Sequence, residues 1–157
     1  MGLPLYDTSW RSTQTASGSV LGALLPQAAA VGTGRQVRIR QIAIANTTAT
    51  GFGIGYGVAT TAGVTPAGGV GSPPGVRRGG PTDPPSTAQN VFTTYATQPA
   101  PPAIYSGRLW IPGGSMVVWP FADGDELVVP PAATPFPFCL WNTGTGQIAD
   151  CSITFEE

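Results

Sequence analysis

Glycine and proline recur so often along this chain that no long window carries apolar residues at i, i+3, i+4 and i+7 without one of them intervening. In a helix interior each glycine costs about 1 kcal/mol and each proline about 3 kcal/mol relative to alanine, so helices are excluded as the main element. With 22 Gly and 17 Pro in 157 residues, disorder is the next reading to weigh. It fails on the 4 Trp, 4 Tyr and 6 Phe and on clear runs of alternating apolar and polar residues, which a disordered segment lacks. The glycines and prolines are therefore turn punctuation between strands.

Strands are predicted over 37–46 (VRIRQIAIAN), 52–59 (FGIGYGVA), 90–96 (NVFTTYA), 104–111 (IYSGRLWI), 115–121 (SMVVWPF), 126–130 (ELVVP), 136–142 (FPFCLWN) and 147–156 (QIADCSITFE). About eight short strands separated by turn chemistry describe an all-β antiparallel sandwich or jelly roll. Asp123-Gly124 predicts a hairpin joining 116–121 to 126–129, Pro112-Gly113-Gly114 a second and residues 142–147 a third, making the C-terminal half a meander. Residues 60–89 form a long Gly/Pro-rich loop of a length that is usually functional or disordered. Residues 1–36 precede the first of these strands and read as an extended N-terminal arm, with an added strand at 20–25. An ordered arm without a core of its own must lie on its own domain or on a neighbour. The expected division is thus an arm over 1–36 and a β domain over 37–157.

Charge narrows function. The chain has 7 Arg, 8 Asp or Glu, no Lys and no His, so 10% of it is charged against roughly 25% in an ordinary soluble domain. A freely diffusing monomer wants more surface charge than this, which predicts that much of the surface is covered by other chains. Too few basic residues are present, and too dispersed, for a nucleic-acid footprint. Without His or Lys the usual general base, the Schiff-base amine and the commonest metal ligand are missing, and no G-x-S-x-G elbow occurs. No catalytic role, cofactor or metal is expected. The uncharged stretch 41–76 is broken throughout by Gly, Thr, Asn and Pro, so no transmembrane helix is expected. The apolar piece 20–31 lacks the basic flank of a secretory signal, and an intracellular product is expected.

Five local features each carry two readings. Gly53, Gly55 and Gly57 alternate with large residues, leaving one strand face bare; a closely packed neighbour explains this where a dinucleotide-binding turn does not. Asp123, Asp125 and Glu126 are the only acidic cluster, read as hairpin turn chemistry over a Ca²⁺ site or a glycosidase pair. Cys139 and Cys151 fall opposite each other if residues 136–142 and 147–156 pair as a hairpin; that geometry suits a disulfide, whereas an unsecreted protein keeps buried free thiols. In the same register Phe138 and Leu140 face away from Cys139 and Trp141, so a second packed layer, the arm or a partner must cover one side. The scattered arginines, among them Arg38 and Arg40 on one strand face and Arg77 and Arg78 in the long loop, suit interface ion pairs or plain solvation. Asn46-Thr47-Thr48 matches a glycosylation acceptor, which has meaning only with secretion.

The run Arg108-Leu-Trp-Ile-Pro-Gly-Gly-Ser-Met-Val-Val-Trp-Pro-Phe121, followed by Gly124-Asp-Glu-Leu-Val-Val-Pro130, Leu140-Trp-Asn142 and the closing Ile153-Thr-Phe-Glu-Glu157, resembles small β-rich structural proteins of tailed-bacteriophage virions, in particular capsid decoration (cement) proteins. The similarity covers about the last fifty residues and lies in strand pattern and phrasing. It implies a protein made in the host cytoplasm that binds the outside of the assembled head. Such proteins commonly act as homotrimers and bridge major capsid protein subunits, with no nucleic-acid or membrane partner. The resemblance carries over no catalytic residues. The interface anchors expected on physical grounds are Trp10, Leu24, Leu25, Phe138 and Leu140, with Arg77 and Arg78, since buried aromatic and aliphatic side chains carry most interface energy. Two other readings stand beside it: a carbohydrate- or receptor-binding module using Trp110 or Tyr105 as a stacking platform, and a tail or head-tail connector component.

Overall fold

The computed structural model describes residues 4–26, 35–61, 76–78, 86, 88–91, 98–132, 134 and 136–157. Among these residues the regular structure is strand throughout, with no helix. The elements are β1 (Leu5–Ser12), β2 (Val20–Leu25), β3 (Val37–Asn46), β4 (Phe52–Val58), β5 (Val76–Arg78), β6 (Gln89–Val91), β7 (Gly107–Ile111), β8 (Met116–Pro120), β9 (Leu127–Val129), β10 (Phe138–Asn142) and β11 (Ala149–Glu156). They build two antiparallel sheets, a first in the order β5-β1-β11-β3-β8 with β9 also on β3, and a second in the order β6-β2-β10-β4-β7. The expected all-β sandwich is the fold.

Pairing is nested. β1 pairs with β11, β2 with β10, β3 with both β8 and β9, and β4 with β7, so the first half of the chain meets the second half in reverse order. Two further ladders, β11 on β3 and β10 on β4, close these pairs into the two sheets. Among its described residues, the excursion between β4 and β7 contributes the edge strands β5, beside β1, and β6, beside β2.

Alternation then fills the space between the sheets. Tyr6, Ile39, Ile42, Ile44, Ile153 and Phe155 from the first sheet meet Leu21, Leu24, Phe52, Ile54, Phe138 and Leu140 from the second. Each such side chain, fully withdrawn from water, contributes about 1.5–3 kcal/mol. Trp10 joins them by lying against the bare backbone of Gly22, where a Cβ would stand 2.4 Å from its ring, and its indole N–H donates to the Leu21 carbonyl at 2.9 Å.

The C-terminal meander is not what forms. β10 and β11 belong to different sheets, so residues 143–148 arch across the sandwich and do not close a hairpin. The Pro112-Gly113-Gly114 turn likewise carries the chain from β7 in the second sheet to β8 in the first. At Asp123-Gly124 the two flanking strands do not pair with each other: β8 and β9 lie end to end along the same side of β3. Gly124 still adopts the left-handed conformation, at φ 92°, that the Asp-Gly pair signals. Because β10 and β11 are apart, Cys139 and Cys151 are not opposed; both are buried free thiols, one outside the second sheet and one between the sheets.

Residues 5–12 and 20–25, within the expected arm, supply one strand to each sheet. β1 escapes a search for apolar alternation because two of its inward positions, Thr8 and Ser12, are polar yet buried. Most of the expected loop 60–89, and residues 92–96 of the expected strand 90–96, lie outside the described residues.

Candidate functional site

Of the expected interface anchors, Trp10, Leu24, Phe138 and Leu140 are buried in the chain's own core and offer no side-chain surface to a neighbour. Leu25 is half-buried against a smaller apolar cluster on the outer side of the second sheet. The backbones of Arg77 and Arg78 pair with Tyr6 and Leu5 as part of β5; their side chains lie outside what is described.

That smaller cluster is the second layer. Cys139 and Trp141 of β10 point outward, packing with Val20, Ala23, Ala59 and Tyr105. Residues 98–106 cover them: the Trp141 indole N–H donates to the Pro99 carbonyl at 3.0 Å, and Tyr105 sits 5.7 Å from Trp141, centroid to centroid. The bare face of β4 receives the same segment, since a Cβ on Gly55 would lie 2.5 Å from the Tyr105 ring and one on Gly57 2.9 Å from Ser106 Oγ. Alternation at 53, 55 and 57 thus signals a close neighbour, as expected. Burial without a countercharge lifts the Cys139 thiol well above its ordinary value, and burial followed by the Asp150 charge pushes Cys151 up to about 12.

The first sheet also exposes apolar side chains. On the outer face of the first sheet the register lays out three rows: Arg11, Asp150, Ala45 and Met116; Ser9, Ser152, Ala43 and Val118; Asp7, Thr154, Gln41 and Pro120. Small side chains make the centre of this face a shallow floor, with a depression of about 220 Å³ bordered by Ser9, Ala43, Ala45, Met116 and Ser152. Along its free edge stand Met116, 65% exposed, and Val118, 44% exposed. Ion pairs bound the floor at two ends. Arg11 Nε donates to Asp150 Oδ1 at 2.7 Å, a hydrogen bond that raises the arginine pKa and lowers that of the carboxylate.

At the opposite end stands Arg40. The β3–β11 register passes from Gln41 to Ile39 without it, and the β8–β9 break falls at the same point, with residues 121–126 inserted opposite this one residue. A bulge re-aims the side chain it carries. Arg38 and Arg40 stay on one face, on either side of buried Ile39, and the alternation slips between Arg40 and Gln41; the Arg40 guanidinium pairs with Asp123, with Glu126 and with Glu156 at 3.4 Å. Its pKa is raised, chiefly by the hydrogen bond to Asp123. Two of the three acidic residues of the predicted cluster are thus accounted for by an arginine; among the described residues no group of three or more His, Cys, Asp or Glu gathers as a metal site would require.

The glycosylation match has a structural explanation. Asn46 is buried, its amide nitrogen donates to the Thr50 and Pro112 carbonyls at 2.7 and 3.2 Å, and its oxygen accepts from Thr48. It ties the end of β3 to the β7–β8 arch. Asn142 does the same at the end of β10, donating to the Gln14 carbonyl and Ser19 Oγ and so holding the β1–β2 connection.

The missed surface had a signal. Met116-Val-Val-Trp119 is apolar at successive positions, which on a half-buried strand means that both faces are apolar. Trp110 is also exposed, at 66%, lying over Gly51 and Gly53 on the outer side of the second sheet. No protein-family model matches the chain, and comparisons with curated proteins and with solved structures find no match either.

Proposed function

We propose that this chain is a structural, non-enzymatic protein of a tailed-bacteriophage virion: a decoration (cement) protein that binds and stabilises the assembled head as a homotrimer. Its partners on this reading are the major capsid protein and its own copies. We read the sandwich as a jelly roll, an architecture common in capsid domains. The nested pairing of β1–β4 with β11, β10, β8/β9 and β7 supports that reading, with β5 and β6 as additions to the sheet edges.

One observation carries the functional reading. The outer face of the first sheet has a small-residue floor and an exposed Met116 and Val118, bounded by the Arg11–Asp150 and Arg40 ion pairs. Exposed apolar side chains along one edge, a floor of small residues and ion pairs at two ends suit a protein interface, whose buried part is depleted of charge. Small floor residues let a neighbouring backbone approach closely, and an edge strand leaves backbone donors and acceptors open to a partner. Sparse charge, 10% of the chain, fits a surface largely covered by other protein. The adhesive surface thus moves from the N-terminal segment to this sheet face.

Quantitative mass spectrometry of purified particles tests the reading. A cement protein approaches stoichiometry with the major capsid protein, whereas a tail or connector component is present in few copies. A purified chain that is monomeric at micromolar concentration and fails to bind assembled heads sinks the proposal. A second reading, a carbohydrate- or receptor-binding module, is favoured by the exposure of Trp110. Glycan-array binding that disappears in Trp110→Ala would support it over the adhesive one.

A further inference from the structure

A cleft of about 400 Å³ opens where the free edges of the two sheets approach, between the start of β7 and the break separating β8 from β9. The rings of Tyr56, Trp119 and Phe121 with Leu127 form its walls, the Tyr56 and Trp119 polar atoms bond each other, and Ser106 and Asp125 add further polar groups. Tyr56 and Phe121 meet edge to face, 5.7 Å apart at 81°, and Trp119 keeps 45% of its surface open to solvent. Trp119 alternates with Val118, so the cleft and the adhesive floor lie on opposite sides of β8.

Electrostatics select the occupant. Arg40 takes up Asp123, Glu126 and Glu156, and among the described residues Asp125 has no arginine partner. Even counting Arg38, whose Cα partner is Glu156, the four carboxylates of this region outnumber its two arginines. The excess of carboxylates disfavours an anion here, and with the Tyr56 hydroxyl and the Trp119 indole N–H engaged with each other the mainly apolar lining disfavours a sugar. A planar cation on an apolar stem satisfies every wall: it stacks on aromatic faces, donates two parallel hydrogen bonds to a carboxylate and buries its methylenes.

We propose that this cleft is a binding site for an arginine side chain presented by another protein chain, stacked on the exposed Trp119 ring with its guanidinium on Asp125. The inference goes beyond the adhesive reading and does not depend on it, because it uses neither Met116 nor Val118.

The test is titration of the whole chain with the peptide acetyl-Gly-Arg-Gly-amide, followed by NMR at the Trp119 indole N–H. The citrulline and lysine peptides, which remove the charge and the planar fork respectively, are run beside it. Saturable binding of the arginine peptide is expected. It should weaken at least tenfold, about 1.4 kcal/mol, for citrulline and in Asp125→Asn, an exposed position where the change leaves the fold intact. Absence of binding overturns the proposal. So does equal binding of citrulline, which would make the cleft a plain apolar trap, or of lysine, which would make it a diffuse acidic patch.

Discussion

Asn142 shows how a single polar residue can decide a crossover. Its amide nitrogen donates to the Gln14 carbonyl at 2.8 Å and to Ser19 Oγ at 2.9 Å, while its backbone exchanges bonds with Gly18 and Ser19. Asn142→Ala leaves those acceptors without a donor and should cost about 2 kcal/mol, a fall of roughly 4–8 °C in Tm by calorimetry. The cysteines offer a pH prediction. Both thiols have raised pKa values in the fold, so the native state holds protons that the unfolded state has released. Their contribution to stability is complete below the ordinary value of 9.0 and is lost as pH rises toward about 12 for Cys151. Denaturant midpoints should therefore fall on the alkaline side, less so in Cys151→Ser measured against its own neutral-pH value. A thiol reagent at pH 8 should label neither cysteine in the native chain and both after unfolding. Nothing in the sequence distinguished the two thiols' surroundings, because that depends on which sheet each strand joins.

Among the strands, β3, β4 and β6–β11 were legible through alternation and β2 as an added strand of the arm, while β1 and β5 were not; the turns were legible through Gly, Pro, Asn and Asp. Partner choice was not. A hairpin and an arch between facing sheets need the same chain-reversing residues, although one spans about 4.8 Å and the other about 10 Å. Pro112-Gly113-Gly114 and residues 143–146 therefore signal a reversal without saying which sheet receives the next strand. The bulge had left a trace: in VRIRQIAIAN the alternation slips by one at Arg40-Gln41, and the structure places the β3 bulge there. Arg40→Met removes the guanidinium that gathers Asp123, Glu126 and Glu156. The 121–126 segment should then exchange its amide hydrogens faster and be cut sooner by protease, while β3 and β11 keep wild-type protection. High salt should shift the wild-type loop in the same direction, since the Asp123 side of this network is exposed.

For the whole molecule, sparse charge is the sequence property on which the proposed adhesive role leans most. Four of the expected anchors, Trp10, Leu24, Phe138 and Leu140, are consumed by the sandwich's own core, as any apolar residue on an inward face must be; on the outer face of the first sheet Met116 and Val118 stand beside a floor of Ala and Ser. Small floor residues make no hydropathy signal, so the only trace this face left in the sequence was the apolar run at its edge, Met116 to Trp119. Cosedimentation with assembled heads tests its role most directly, using the wild-type chain and the Met116→Lys/Val118→Lys double variant. Both positions are exposed, so the variant should keep the wild-type circular dichroism spectrum and Tm. The account predicts saturable pelleting of the wild type and at least a tenfold loss of affinity in the variant, about 1.4 kcal/mol or more. A wild-type chain that stays in the supernatant, or a variant that pellets as well as the wild type, would contradict it.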